Sequence, residues 1–193
     1  MATARSATGT ALLAAGLLLT ACASPASPAQ MALAAGSPAQ AHQGEPAWRA
    51  LTVGVIDGGA KTSPLWLSDV SNADFRTALE TSLRNLDFLA DGARGAYVVT
   101  ARIVDVDVPL GARDPVLVIA PVAWEVTVKV RYTVTPTGGG VPVFDDVVAA
   151  TATGSSGFSA TARVRKAAEA AVRADIETFA QRLGTEWNGR AAG

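Results

Sequence analysis

The chain has 193 residues, of which 49% are hydrophobic, and a formal net charge of -1 from 16 Lys and Arg against 17 Asp and Glu. This length fits one domain with short appendages, and the balanced charge excludes the basic surface of a nucleic-acid-binding protein. The single cysteine excludes an internal disulfide or a thiolate zinc site, and the single histidine, His42, leaves little material for His-based catalysis. We therefore expect no metal and no cofactor.

Residues 1–21 have the order of a secretory signal peptide, in which Arg5 precedes a short apolar run. This run is shorter than the ~20 residues that a membrane-spanning helix needs. The run Leu19-Thr20-Ala21-Cys22 resembles the bacterial lipobox, and the resemblance implies that the signal is cut before Cys22 and that its thiol is acylated. The alternative is an ordinary cleavage site with an incidental cysteine.

Acyl chains on Cys22 would hold the protein durably on a membrane. By the same resemblance, Ala23 in place of an aspartate implies the periplasmic face of the outer membrane. In a Gram-positive host the anchor would lie in the one membrane present.

Residues 22–47 consist mainly of Ala, Ser, Pro and Gln and have no helical or strand period. This composition predicts a flexible tether with a root-mean-square reach of about 27 Å. We expect His42, which lies within it, to be exposed. The single folded domain is then predicted over residues 48–193.

The pattern from Trp48 onward predicts alternating strands and helices. Residues 50–56 form a β-rich run, and Ser71 with Asp74 predicts the start of a helix. Its apolar stripe is spaced as in an amphipathic helix and consists of Phe75, Leu79, Leu83 and Leu86. A second strand over residues 97–108 changes its apolar parity midway, which predicts a β-bulge or a strand end that leaves the sheet.

The third predicted strand has the clearest pattern, because apolar residues alternate with polar ones from Trp124 to Thr135. Such alternation predicts a sheet with one covered and one solvated face. A fourth strand is predicted over residues 141–153 and a long amphipathic helix over residues 160–187. The predicted fold is therefore α+β, with the order β-α-β-β-β-α, a largely antiparallel four-stranded sheet and two helices on one face.

The lipobox, the tether and this element order together resemble the small envelope lipoproteins of Gram-negative bacteria. The nearest by element order is the LPS-assembly lipoprotein; the penicillin-binding-protein activator lipoproteins and the auxiliary lipoproteins of lipid-transporting ABC systems are similar in architecture. Only the lipobox matches residue by residue. The resemblance implies a non-enzymatic lipoprotein that binds a protein partner or a lipid in envelope assembly or transport.

Two apolar loop segments without periodicity are the candidate binding residues. They are Leu65, Trp66, Leu67, Val116, Leu117, Val118 and Ile119. The alternative for both segments is that they complete the core. Two further alternatives for the protein stay open, which are an enzyme that uses Asp105, Asp107 and Asp114, and a purely structural envelope protein.

Overall fold

A computed structural model of the chain describes residues 25–59, 70–92, 94–108, 123–155 and 160–191, with side chains of the last range over residues 161–187. The signal peptide, Cys22 and both apolar segments lie outside these ranges. The described elements, in chain order, are α1 (Pro28–Met31), β1 (Leu51–Asp57), α2 (Asn72–Asn85), β2 (Tyr97–Asp107), β3 (Trp124–Pro136), β4 (Phe144–Gly154) and α3 (Ala160–Ala191).

The strands form one sheet in the order β1-β2-β3-β4. β1 and β2 are parallel, because α2 forms the crossover between them, whereas β2, β3 and β4 pair antiparallel. The α+β class and the order β-α-β-β-β-α are therefore confirmed, with α1 as an additional short helix. The sheet is mixed rather than wholly antiparallel.

The irregularity predicted in β2 is a β-bulge. Ile103 pairs with Val130, but the next pair joins Asp105 to Lys129, so that Val104 is an extra residue without its own partner. One extra residue moves every following side chain to the opposite face. This accounts for the change of apolar parity that the sequence shows.

Two helices cover one face of the sheet, with α3 packed across β3 and β4 and α2 packed against β1. α2 begins as predicted, since the side chain of Ser71 accepts a hydrogen bond from the backbone of Asp74 at 3.1 Å. In α2, Arg76 and Glu80 form an ion pair at 3.2 Å. No helix in the described parts of the chain is long and apolar enough to cross a membrane.

Stacked aromatic rings join the sheet to the helices. The rings of Tyr132 in β3 and Phe179 in α3 lie parallel with centroids 4.0 Å apart, and Phe144 in β4 meets Phe179 edge-on at 5.4 Å. Val128 and Val172 belong to the same core. Burying each large apolar side chain contributes about 1.5–3 kcal/mol, so this interface supplies much of the stability of the fold.

The described part of the chain before β1, from residue 25, is folded, which corrects the prediction of a flexible tether for residues 25–47. α1 packs against both α2 and α3, and the folded unit begins before the predicted boundary at Trp48. His42 is exposed, as predicted. The segment contributes these buried side chains to the common core: Ala26, Met31, Leu33, Ala39, Ala41 and Ala47.

Hydrogen bonds fix this N-terminal segment on α2. The backbone N–H of Leu33 donates to the hydroxyl of Ser82 at 2.9 Å, and the amide of Asn85 donates to the carbonyl of Leu33 at 2.8 Å. Further along, the N–H of Ala41 donates to the carbonyl of Leu86 at 2.9 Å. Both backbone groups of Leu33 are therefore satisfied by α2, as a buried chain crossing requires.

Candidate functional site at the loop end of the sheet

Four strand termini lie at the same end of the sheet, which we call the loop end. β1 finishes at Asp57, β2 at Asp107 and β4 at Gly154, while β3 begins at Trp124. β1 runs parallel to β2, and β3 runs antiparallel to both of its neighbours. The ends of β1, β2 and β4 and the start of β3 therefore lie on the same side of the sheet.

Both predicted apolar segments belong to connections at the loop end. Residues 65–67 lie between β1 and α2, and residues 116–119 lie between β2 and β3. The topology therefore places both connections at one end of the sheet. Their side chains lie outside the described residues, and their exposure stays a prediction.

An open pocket of about 270 Å³ lies at the loop end beside β2. β1 is the shorter strand, and its last pair joins Asp57 to Arg102, so that β2 extends beyond it. Gly58, which follows, has a φ of +81°, and a Cβ there would lie 2.1 Å from the carbonyl oxygen of Ile103. Only glycine permits this approach. The pocket is lined by Gly58, Gly59, Val70, Ile103, Val104, Asp105 and Val106.

Bulges in β1 and β2 each place one apolar side chain in solvent. Val104, the extra residue of β2, is 55% exposed, and Val55 in β1 is 66% exposed. Val55 belongs to a second irregularity, because the pairing of β1 with β2 shifts register between Val53 and Ile56. Val104 lines the open pocket and forms, with Val106, a small apolar surface there.

Ion pairs neutralise two of the carboxylates around this surface. Lys129 lies 3.2 Å from Asp105, and Arg102 lies 3.7 Å from Asp57. Further from the loop end, Arg131 donates to Asp145 at 2.9 and 3.1 Å. This hydrogen bond lowers the pKa of Asp145 and raises that of Arg131.

Two of the three candidate acidic residues lie in β2. Asp105 and Asp107 are both exposed in β2, as the sequence indicates, and Asp105 contacts Lys129. Asp114 lies outside the described residues. Among the residues that the structure describes, no group of three or more His, Cys, Asp or Glu side chains is arranged to hold a metal ion.

A buried polar pair, Tyr132 and Asp175, lies between the sheet and α3. The hydroxyl of Tyr132 donates to Oδ1 of Asp175 at 2.6 Å, and both residues are fully buried. Burial raises the pKa of Asp175 to about 8, an effect that the hydrogen bond from Tyr132 partly offsets. Burial and the neighbouring carboxyl raise the pKa of Tyr132 well above its ordinary value.

Sequence reasoning missed this pair, although the sequence carries a signal for it. Position 175 lies three residues after Val172 and four before Phe179, on the apolar stripe of α3. A carboxyl on such a stripe indicates a buried group that needs a partner. Because neither side chain reaches solvent, the pair contributes to stability and its pH dependence rather than to binding.

Comparisons with known proteins give a fold and no family. No protein-family model matches the sequence, and no curated protein matches it significantly. A protein of the family model DUF330 from Xanthomonas campestris is similar with a TM-score of 0.54 at 11% identity, over 80% of this chain and 95% of its own. This likeness shows a shared fold alone.

Two further solved structures are more distant. A candidate lipoprotein from Caulobacter crescentus has a TM-score of 0.49 at 15% identity, covering 74% of this chain and 93% of its own. A hypothetical protein from Chlamydia trachomatis has a TM-score of 0.44 at 12% identity, covering 72% of this chain and 99% of its own. Their similarity is too low to carry an argument about this protein.

Proposed function

We propose that this chain is a lipoprotein of the bacterial envelope that binds a protein or lipid partner at the loop end and catalyses no reaction. Acyl chains on Cys22 anchor it on the periplasmic face of the outer membrane. The resemblance of Leu19-Thr20-Ala21-Cys22 to the lipobox supports the anchor, since the only cysteine of the chain stands at the position that lipidation requires.

One observation carries the binding part of the proposal. The connections that contain residues 65–67 and 116–119 both leave the sheet at the end where Val104 is exposed in an open pocket. Burying apolar surface there on association contributes about 25 cal/mol per Å². Lys129 and Arg102 neutralise Asp105 and Asp57, two of the carboxylates at this end of the sheet.

Photo-crosslinking in the producing cells tests the binding surface. A benzoyl-phenylalanine in place of Val104 samples the loop end, and the same residue in place of Val141, which is 84% exposed in the turn before β4, samples the opposite end. We expect a discrete adduct, either a protein band or a lipid mass, from position 104 and none from position 141.

Trp66→Ala separates binding from folding in the same cells. An exposed Trp66 contributes little to stability, so we expect loss of the position-104 adduct with an almost unchanged melting temperature. A stability loss of roughly 3–5 kcal/mol, as large aromatic truncations in a core give, would place Trp66 in the core instead. Adducts that are absent at both positions would favour the purely structural alternative.

A further inference from the structure

A second open pocket, of about 560 Å³, lies where the N-terminal segment crosses α3. We call it the basic pocket. Three cations and one carboxylate line it, which leaves a net charge of +2 on its walls. Its lining residues are Ser27, Gln30, Arg165, Lys166, Glu169 and Arg173.

The contacts within the basic pocket fix the chain where it enters the fold. The backbone N–H of Ser27 donates to Oε1 of Glu169 at 2.8 Å, and Arg165 lies 3.9 Å from the same carboxylate. Arg173 donates through Nε to the carbonyl of Gln30 at 2.8 Å. Glu169 is buried, whereas Lys166 and Arg173 are exposed to solvent.

The fixed position of Ser27 limits how far a lipid on Cys22 can lie from the pocket. Four residues lie between them. The five steps from Cys22 to Ser27 span at most about 3.6 Å each in an extended chain, or about 18 Å in all. The tether expected from composition would have allowed any orientation. Because the segment from Ser27 onward is folded and only a short stretch of chain joins it to Cys22, the basic pocket is held close to the membrane surface in which the acyl chains are inserted.

We propose that the basic pocket binds the phosphate headgroups of anionic phospholipids in the bilayer that carries the anchor. This rests on the proposed anchoring at Cys22. The attraction between cations and an anionic bilayer acts over about one Debye length, 8–10 Å. The chain from Cys22 to Ser27, which spans at most about 18 Å, allows the basic pocket to lie within this distance of the bilayer. One acyl chain with a basic surface holds a protein more firmly than the chain alone.

The same contact orients the loop end. The first turns of α3 lie at the loop end, as shown by the close approach of Gly154 at the end of β4 to the helix: a Cβ on Gly154 would lie 2.0 Å from the carbonyl oxygen of Arg163. Glu169 lies about 14 Å along the helix from Ala160. The basic pocket therefore lies on the half of α3 that is nearer the loop end. Headgroup binding places the loop end beside the membrane surface rather than away from it.

Vesicle binding by singly acylated protein tests the proposal. The mature chain, beginning at Cys22, is coupled through that unique thiol to one myristoyl chain, which alone gives only marginal membrane binding. Partitioning is measured on vesicles of phosphatidylcholine and on vesicles that also contain phosphatidylglycerol. The variant R165Q/K166Q removes two cations of the pocket. The control R49Q/R84Q removes two exposed cations at the other end of the sheet, one before β1 and one in the last turn of α2.

We expect the native chain and the control to prefer the phosphatidylglycerol vesicles, and R165Q/K166Q to bind them about 30-fold less tightly, the effect of two cations beside an anionic surface. All three should bind phosphatidylcholine equally and melt as folded proteins. Equal binding of the native chain to both vesicles, or equal losses in both variants, would overturn the proposal. Because the acyl chain is attached chemically, neither result depends on whether Cys22 is lipidated in cells.

Discussion

The two faces of the sheet consist of the same strands but differ in what covers them. On β3, Val128 and Tyr132 are fully buried beneath the helices, whereas Lys129 and Arg131 on the other face form ion pairs at the surface. Buried apolar area stabilises a fold far more than exposed ion pairs do. The comparison teaches that the covered face holds the fold together, which leaves the open face and the loop end available for recognition.

The largest expected effect comes from a charge on the covered face. Val128→Asp would bury an unpaired carboxylate at a cost of several kcal/mol, comparable with the whole stability of a small domain. Lys129→Asp, one residue further, removes an exposed ion pair and should cost about 1 kcal/mol or less. Urea unfolding measures both variants. Equal losses would mean that both faces are covered.

A smaller effect is expected from the buried carboxyl of Asp175. Its pKa rises from 3.8 to about 8 on folding, so the folded chain binds the proton more tightly. The contribution of protonated Asp175 to the free energy of unfolding is full below about pH 4. It is lost as the pH rises toward 8, by about 1.4 kcal/mol per pH unit. We therefore expect the native chain to lose about 3–4 kcal/mol more than Asp175→Asn between pH 5 and pH 8.

Urea unfolding at the two pH values measures this difference. Asp145, on the open face, is the control, because its pKa is lowered rather than raised. Asp145→Asn should leave the loss between pH 5 and pH 8 as large as in the native chain. Parallel pH dependence of the native chain and Asp175→Asn would contradict a buried, protonated carboxyl in the folded state.

The smallest expected effect comes from an exposed valine. Val104→Ser should change the free energy of unfolding by less than about 0.5 kcal/mol, as substitutions at exposed positions do. Val148→Ser, the same change at a buried position of β4, should cost about 2 kcal/mol or more. Thermal or urea unfolding compares them. A large loss in Val104→Ser would mean that this valine is part of the core.

The sequence predicted the covered and open faces well, for a physical reason. A strand that is buried on one side alternates strictly, and β3 shows that alternation over its whole length. The bulge at Val104 was also predictable, because one extra residue reverses the parity of those that follow. The parallel direction of β1 was not marked in the residues and follows from the crossover through α2.

The N-terminal segment was the element that composition misrepresented. Alanine has little volume and no polar side-chain group, so Ala26, Ala39 and Ala41 become buried without producing a periodic pattern. Met31 and Leu33 are the larger apolar residues in it, and both are buried. The candidate binding residues of the loops lie outside the described structure, so only the end of the sheet from which they leave is now known.

Lipid labelling of Cys22 tests the central claim most directly. Cells that produce the native chain or Cys22→Ser are fed an alkyne-tagged palmitate, and membranes are washed with high salt, which screens the contribution of the basic pocket. We expect the native chain to carry the label and to sediment with the outer membrane. We expect Cys22→Ser to be unlabelled, and either to keep its signal peptide or to be released into the soluble periplasmic fraction. A labelled Cys22→Ser, or one that loses its signal peptide and still sediments firmly, would contradict the anchor.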